Sequence, residues 1–280
     1  MNVRSEGQYQ RITLVIADLP VAILCNDARV SEQLRQHYAA FLADDQRDPL
    51  LVVNAFLDAT FPAPPYGQQA MHYIPHENRL MLIGAEALLN LGHGIVQLWL
   101  SPVYALENID YTLRVVYAML ATRNGGLMLH AAGIVHQQYA YLFCGKSGSG
   151  KTTIARHSPP TAILNDDLVL LLPNDTDWYA HATPFWNPTQ QPPAGQIKAP
   201  LSHLLFLVQD QEVQLVNVPP ARALAELLSV VPVITSNVIF GTQVMQIGTR
   251  LLEQVAAHYL HFRPDSSFWG IVGGNGKSGA

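Results

Sequence analysis

The stretch GKSGSGKT at residues 145–152 limits what this chain can fold into more than any other feature. It fits the pattern G-x-x-x-x-G-K-[ST] at every fixed position. Glycines let the backbone curl so that successive amides converge on phosphate oxygens, and the lysine reaches the terminal phosphates. At this chain's own residue frequencies, about 10⁻³ chance matches are expected. The motif therefore predicts a strand, a phosphate-binding loop and a helix, in that order.

The residues on either side agree with that order. An apolar strand is predicted over 139–144, and helix-compatible residues follow the loop until Pro159-Pro160. Lys146 occupies a free position of the motif, so we expect a solvated side chain. The residues predicted to bind the nucleotide phosphates are Gly145, Ser147, Gly148, Ser149, Gly150, Lys151, Thr152 and Thr153. Among them, Lys151 is expected at the β- and γ-phosphates, and the Thr152 hydroxyl is expected to bind Mg²⁺.

Two adjacent carboxylates, Asp166 and Asp167, follow a short apolar strand predicted over 161–164. In P-loop proteins an acid at such a strand end lies near the Mg²⁺ and the terminal phosphates. A polar turn between two strands is the alternative explanation of this pair. An ordinary ATPase needs one such acid, whereas two acids allow one to hold Mg²⁺ and the other to take a proton from an attacking hydroxyl.

His130 lies in a strand predicted over 127–135, directly before the strand that leads into the loop. A lone histidine in an apolar strand is usually a core residue. Pairing of the two strands would nevertheless bring His130 near the phosphates, so it is a candidate for the site. The remaining histidines show no metal-ligand spacing, and no zinc site is predicted.

Composition excludes several classes of protein. The net charge is −5 and only four of the 280 residues are lysine, so no broad basic surface for nucleic acid or anionic lipid is expected. The apolar stretch 80–100 is interrupted by polar residues, and the N-terminus lacks an apolar secretory core. These features predict a cytoplasmic protein without a membrane span. Cys25 and Cys144 lie in separate apolar runs and are predicted to be buried and unpaired.

Hydrophobic periodicity outside the motif predicts the domain organisation. Helices are predicted over 106–122 and 243–259, and strands 203–208 and 213–216 are predicted to form a hairpin. The chain is divided into a mostly β N-terminal lobe over 1–104, a P-loop domain over 105–272 and a flexible tail over 273–280.

Three segments together resemble the HPr kinase/phosphorylase family: LHAAGIV around His130, the loop GKSGSGKTT, and LNDDLVLL around the acid pair. The resemblance is stronger to the stand-alone kinases of biosynthetic gene clusters, including lasso-peptide tailoring kinases. It covers residues 106–270, more faintly beyond the acid pair. It implies an α/β fold with a P-loop kinase core of the HPr kinase / PEP carboxykinase type and a smaller, mostly β N-terminal lobe.

The same resemblance implies an ATP-dependent kinase that transfers the γ-phosphoryl group to a hydroxyl, typically of serine. The acceptor would be a peptide, a protein or a small molecule. By position, Asp166 would be the catalytic base, Asp167 would hold Mg²⁺ together with Thr152, and Lys151 and His130 would complete the catalytic set. Members of the family often assemble, so a homo-oligomer is an expectation that the sequence leaves open.

The chain also departs from the family. The N-terminal lobe does not resemble that of bifunctional HPr kinase, and the Gly-rich signature after the paired acids is missing. Both departures argue against HPr as substrate and against phosphorylase activity. A nucleotide-binding regulator or simple NTPase remains the main alternative. An ATP-linked carboxykinase is less favoured because the sequence shows no cluster of substrate-binding arginines.

Overall fold

The computed structural model describes residues 9–44, 46–65, 72–158, 163–185, 195–232 and 238–273. Contacts divide the chain into two compact units, Met1–Val116 and Tyr117–Ala280, and the division falls inside the helix predicted over 106–122. Pro159-Pro160, predicted to end the helix after the loop, and the predicted tail from 274 onward lie outside the described residues. Within the described ranges, no helix is long and apolar enough to cross a membrane.

The first unit is built on a seven-stranded mixed sheet. Its spatial order is β1-β2-β3-β7-β6-β5-β4, in which β2, β3 and β7 run parallel and all other neighbours are antiparallel. Helix α1 forms the crossover between the parallel strands β2 and β3. The elements are β1 Gln10–Ile16, β2 Leu19–Cys25, α1 Ala28–His37, β3 Leu51–Leu57, β4 His72–Ile74, β5 Arg79–Leu82, β6 Ala85–Asn90, β7 Ile95–Leu100 and the first part of α2, Ala105–Arg123.

Burial in this sheet follows the two-residue period of a strand. In β3, Leu51, Val53 and Ala55 are buried and the intervening side chains are half-buried. The same alternation in β7 buries Val96 and Leu98. One face of the central strands is therefore core, as alternation in a mixed sheet predicts.

The second unit carries the P-loop motif on an eight-stranded mixed sheet. Strand pairings close a circuit in the order β8-β11-β12-β13-β9-β8, and β15 and β14 continue outward from β13. The elements are β8 Leu127–His136, β9 Tyr139–Cys144, α3 Lys151–Arg156, β10 Ile163–Asn165, β11 Leu168–Asn174, β12 Asp177–His181, β13 Lys198–Gln209, β14 Gln214–Asn217, α4 Pro220–Ser229, α5 Val238–Gln254, β15 Ala256–Phe262 and α6 Trp269–Val272.

The predicted fold class is wrong. The chain forms two mixed β-sheets with few helices, and not an α/β P-loop kinase core of the HPr kinase / PEP carboxykinase type. Short turns join β8 to β9 and β11 to β12, so these sequential strands pair antiparallel. A doubly wound α/β core requires a helical crossover between parallel neighbours, and tight turns cannot supply one.

Two local predictions near the C-terminus also need correction. The predicted hairpin of 203–208 with 213–216 is wrong, because β13 pairs in parallel with β15 and β14 pairs with the opposite edge of β15. The helix predicted over 243–259 is α5, which ends at Gln254, and the chain then enters β15. Aromatic side chains such as Tyr259 and Phe262 suit a strand that packs against neighbours on both sides.

A pair of histidines lies inside this second sheet. The His203 ring stacks on Tyr141 at 5.6 Å between centroids, and its Nδ1 is 2.8 Å from the Ser202 hydroxyl. The His258 ring lies 5.6 Å from the His203 ring. Burial, and then the neighbouring His258, lower the pKa of His203 to about 4. His203 is therefore neutral in the folded protein at physiological pH.

This depressed pKa predicts a pH-dependent stability. The unfolded chain binds protons on His203 below its ordinary pKa of about 6.5, which the folded chain does not. We expect the free energy of unfolding to be highest above that pH and to fall as the pH drops towards 4. Urea denaturation in pH steps should show a shallower fall for His203→Gln than for the wild type, and equal slopes would contradict the prediction.

Candidate functional site

Strand β8 brings the phosphate loop and the predicted histidine to the same level of the sheet. On one edge, β9 pairs antiparallel with β8, and its last residue, Cys144, lies opposite Ala131. The phosphate loop begins at the next residue, Gly145. His130 directly precedes Ala131 on β8. Sequence order predicted that His130 lies near the start of the phosphate loop. The pairing of β8 with β9 places the two at neighbouring positions of the sheet.

The acid pair lies on the other edge of β8. Asn165 of β10 pairs with Gly133, and Leu168 of β11 pairs with His130, which is a spacing of three residues on both strands. β10 and β11 therefore both pair with the same edge of β8, with a register shift between Ile163 and Asn165 and an interruption at Asp166-Asp167. The interruption lies opposite the residues of β8 that face the start of the phosphate loop.

Glycine is required at both ends of the loop. A Cβ at Gly145 would collide with the Ser149 side chain. Gly150 has a φ of +110°, which L side chains rarely adopt, and a Cβ there would collide with the ring of Phe262. Inside the loop, the Ser149 amide donates to the Lys146 carbonyl at 3.1 Å. The buried hydroxyl of Ser149 has no hydrogen-bond partner among the described residues.

Lys151 lies folded over its own loop. It is 7% exposed, and its Nζ donates to the carbonyls of Gly145 at 2.8 Å and Lys146 at 3.1 Å. Burial lowers the pKa of Lys151, whereas Asp167 and, less strongly, Asp166 raise it. The ammonium therefore lies within electrostatic range of both acids. The Lys146 side chain is exposed, as predicted.

The remaining predicted loop residues differ in exposure. Ser147 and Gly148 are exposed, whereas Thr152 and Thr153 are half-buried in α3. Helix α3 has only six residues, in keeping with the short segment between the motif and the acid pair. The exposed part of the loop leaves room for a ligand to approach its backbone.

Asp166 is an almost completely buried acid whose carboxylate makes no hydrogen bond among the described residues. It is 1% exposed, and neither carboxylate oxygen accepts a hydrogen bond from another described residue. Burial, and then the negative charge of Asp167, raise the pKa of Asp166 to about 6, although Lys151 and Arg156 oppose the rise. A buried carboxylate in this state is costly for the fold, which is typical of a functional position.

His130 pairs with Asp167 and not with Asp166. Its Nε2 lies 2.8 Å from Asp167 Oδ1, with the His130 side chain 37% exposed and the Asp167 side chain 11% exposed. Backbone bonds hold both residues, since the His130 amide donates to the Val230 carbonyl and the Ala131 amide donates to the Asp167 carbonyl. The imidazole thus fixes the orientation of the second acid while keeping one side open to solvent.

Asn165 holds the acid pair in place, a role that the sequence analysis missed. Its Oδ1 accepts from the amides of Asp167 at 2.6 Å and Leu168 at 2.9 Å, which is the geometry of an Asx turn. Its Nδ2 donates to the carbonyls of Thr183 at 3.0 Å and Phe185 at 3.2 Å. An asparagine directly before two acids at a strand end is the signal that could have revealed the turn.

Asn165→Ala should destabilise the fold strongly, because two buried amides and two carbonyls lose their partner. We expect the free energy of unfolding to fall on the order of 3 kcal/mol. Asn124→Ala is the matched control, since that exposed side chain makes one hydrogen bond among the described residues, to the Leu120 carbonyl in the last turn of α2. Urea denaturation of both variants measures the difference, and equal losses would contradict the role of Asn165.

The oxygen groups at this site suit a hard cation that retains other ligands. Among the described residues, no group of three or more His, Cys, Asp or Glu side chains could hold a metal by itself. Asp166 and Asp167 nevertheless place carboxylate oxygens near the loop, and Thr152 adds a hydroxyl to the motif. Mg²⁺ usually takes one or two protein carboxylates and keeps waters or substrate phosphates. Asp167 and Thr152 supply such a partial donor set, and the nearby Asp166 oxygens accept no hydrogen bond among the described residues.

Comparison with known proteins identifies the family. The family model for SynChlorMet cassette protein ScmC matches residues 103–258, a range that contains the phosphate loop, His130 and the acid pair. A search of curated proteins returned no significant match. Because the matched range is more than half of the chain, this protein belongs to the SynChlorMet cassette protein ScmC family.

Proposed function

We propose that this protein is an ATP-dependent kinase that transfers the γ-phosphoryl group to a hydroxyl of a peptide, a protein or a small molecule. The proposal rests on one observation, the arrangement around β8. A phosphate loop that carries a lysine begins on one edge of this strand, and two acids lie on the other edge. A simple NTPase needs one acid at this position. Asp166 is buried and accepts no hydrogen bond among the described residues, and proton transfer from an acceptor would explain why the chain keeps so costly an acid beside Asp167.

The donor phosphates bind the loop in this proposal. Backbone amides of residues 145–150 surround the phosphate oxygens, and Lys151 exchanges its contacts with the loop carbonyls for contacts with the terminal phosphates. Burial lowers the pKa of Lys151, whereas the negative charges of Asp167 and Asp166 oppose that shift and favour the charged ammonium where the transferred group binds.

Asp167 and Thr152 would hold Mg²⁺, which when bound offsets the negative charge of the transferred phosphoryl group. His130 orients the Asp167 carboxylate through the 2.8 Å contact, as outer partners of metal-binding carboxylates generally do. His130 is therefore a positioning residue in this proposal.

Asp166 acts on the acceptor. The acceptor oxygen forms a bond to the γ-phosphorus, while the bond from that phosphorus to the bridging oxygen breaks and its electron pair leaves with ADP. The proton of the acceptor hydroxyl passes to Asp166. Because the Asp166 carboxylate accepts no hydrogen bond from another described residue, its oxygens are available to take the proton.

We also propose a cytoplasmic location. Cys25 and Cys144 are buried and unpaired, as the sequence predicted, and thiols in this state are typical of a reducing compartment. ATP is available there to act as the phosphoryl donor. The resemblance of the three site segments to stand-alone HPr-kinase-related enzymes supports the proposed kinase activity.

An acceptor screen tests the proposed function. The matched family is described as a cassette protein, so the first acceptors to test are peptides and proteins encoded beside the gene. Incubation with ATP and Mg²⁺, followed by intact mass measurement, should show the gain of one phosphate on an acceptor. Lys151→Ala is the negative control. Consumption of ATP without phosphate on any of these acceptors would favour an NTPase.

A further inference from the structure

A cavity of about 450 Å³ lies beside the phosphate loop. This volume is within the usual range for small-molecule sites. The parallel strands β13 and β15 end side by side at the cavity, with Gln209 paired to Phe262. Its lining residues are Thr153, Gln209, Asp210, Gln211, Phe262 and Pro264.

The cavity shares its wall with the phosphate loop. Gln209 Nε2 donates to the Gly148 carbonyl at 2.9 Å, and the Phe262 ring packs directly against Gly150. Thr153 directly follows the motif, two residues after Lys151. A molecule held by the loop would therefore extend into the cavity without crossing other protein.

The acid pair and the cavity lie at different parts of the loop. Asp166 and Asp167 interact with Lys151, and neither of them lines the cavity. Lys151 marks the end where the terminal phosphate binds. Thr153 follows Lys151 on α3 and lines the cavity. The nucleoside part of the donor molecule would therefore extend from the loop on the side of Thr153.

The lining suits an uncharged polar group better than a phosphate. Asp210 accepts from His261 Nδ1 at 2.8 Å and from the Gln211 amide at 2.6 Å, and these bonds hold the pKa of Asp210 below its usual range. A fixed negative charge repels phosphate but accepts hydrogen bonds from hydroxyl and amino groups. Phe262 and Pro264 contribute apolar surface, as most ligand sites do.

We infer that this cavity binds the base and ribose of the nucleoside triphosphate whose phosphates occupy the loop. The inference rests on the proposed function and adds the residues that bind the nucleoside. The polar side chains of Gln209, Asp210 and Gln211 would bond the ribose hydroxyls and the base edge, while Phe262 and Pro264 would contact the flat face of the base.

Comparison of ATP with inorganic tripolyphosphate tests the cavity separately from the loop. Both ligands occupy the loop, but only ATP carries a nucleoside. Calorimetric titration should show tighter binding of ATP than of tripolyphosphate by the wild type. Gln211→Trp fills the cavity, so its ATP affinity should fall about tenfold or more while its tripolyphosphate affinity is retained. Gln246→Trp, at an exposed glutamine of α5 that does not line the cavity, is the matched control and should bind both ligands normally.

A second variant distinguishes a blocked cavity from a local folding defect caused by Gln211→Trp. Pro264→Trp fills the cavity from another wall and should give the same separation between the two ligands. If both filled variants bind ATP as tightly as the wild type, the inference about the cavity is wrong and the kinase proposal is unaffected. If the wild type binds neither ATP nor tripolyphosphate, the phosphate-loop assignment itself fails.

Discussion

Lys151→Ala should weaken ATP binding about 10²-fold and abolish turnover. The loop then loses the cation aimed at the transferred phosphate, and a charge-assisted contact of this kind is worth about 10²-fold in affinity. The side chain is 7% exposed and already lies within the loop, so the wild-type ammonium needs little rearrangement to reach a phosphate. Calorimetric titration with ATP and Mg²⁺ measures the affinity, and release of ADP measures the turnover.

Lys146→Ala is the matched control, because it removes the same charge from an exposed position of the same loop. We expect its ATP affinity to stay within a few-fold of the wild type. Thermal unfolding without ligand checks that the loss of two carbonyl contacts in Lys151→Ala has not unfolded the protein. Normal ATP affinity and turnover in Lys151→Ala would overturn the assignment of the phosphate loop.

Asp166→Asn should separate binding from chemistry. ATP affinity should remain close to that of the wild type, while phosphoryl transfer falls by roughly 10² or more, because the amide cannot take the acceptor proton. The substitution breaks no hydrogen bond to another described residue and removes the repulsion from Asp167. The free energy of unfolding should therefore be equal to or higher than that of the wild type.

Asp177→Asn is the control for Asp166→Asn, since it neutralises an exposed acid at the start of β12. It should leave binding and transfer unchanged. An equal loss of ATP binding and of transfer in Asp166→Asn would identify Asp166 as a metal ligand. That outcome would reverse the roles proposed for the two acids.

Local sequence constraints predicted the parts of the site that lie close together in the chain. The motif fixed the order of strand, loop and helix, because Gly145 and Gly150 occupy positions where a Cβ would collide with neighbours. The strands before the loop were predicted within a residue, and their pairing follows from the short turn between them. His130 could be placed near the loop for the same reason.

Contacts between distant segments could not be predicted in this way. The Asn165 side chain donates to the carbonyls of Thr183 and Phe185, eighteen and twenty residues later in the chain. No periodic pattern in the sequence predicts such a hydrogen bond. The helix predicted over 243–259 covers the first four residues of β15, so neither this strand nor the contact between Phe262 and the loop was predicted. The predicted fold class was wrong for a related reason, since it came from the resemblance of three short segments, and such segments do not determine which distant strands pair.

The fate of the γ-phosphate tests the kinase proposal most directly. ATP labelled on the γ-phosphate is incubated with the wild type, Mg²⁺ and the candidate acceptors, and label on each acceptor is compared with label released as inorganic phosphate. A hydroxyl kinase should place label on one acceptor, in step with ADP formation, and Asp166→Asn should lose that transfer while still binding ATP. Binding of ATP with all label released as inorganic phosphate, whichever acceptor is present, would contradict the proposed kinase.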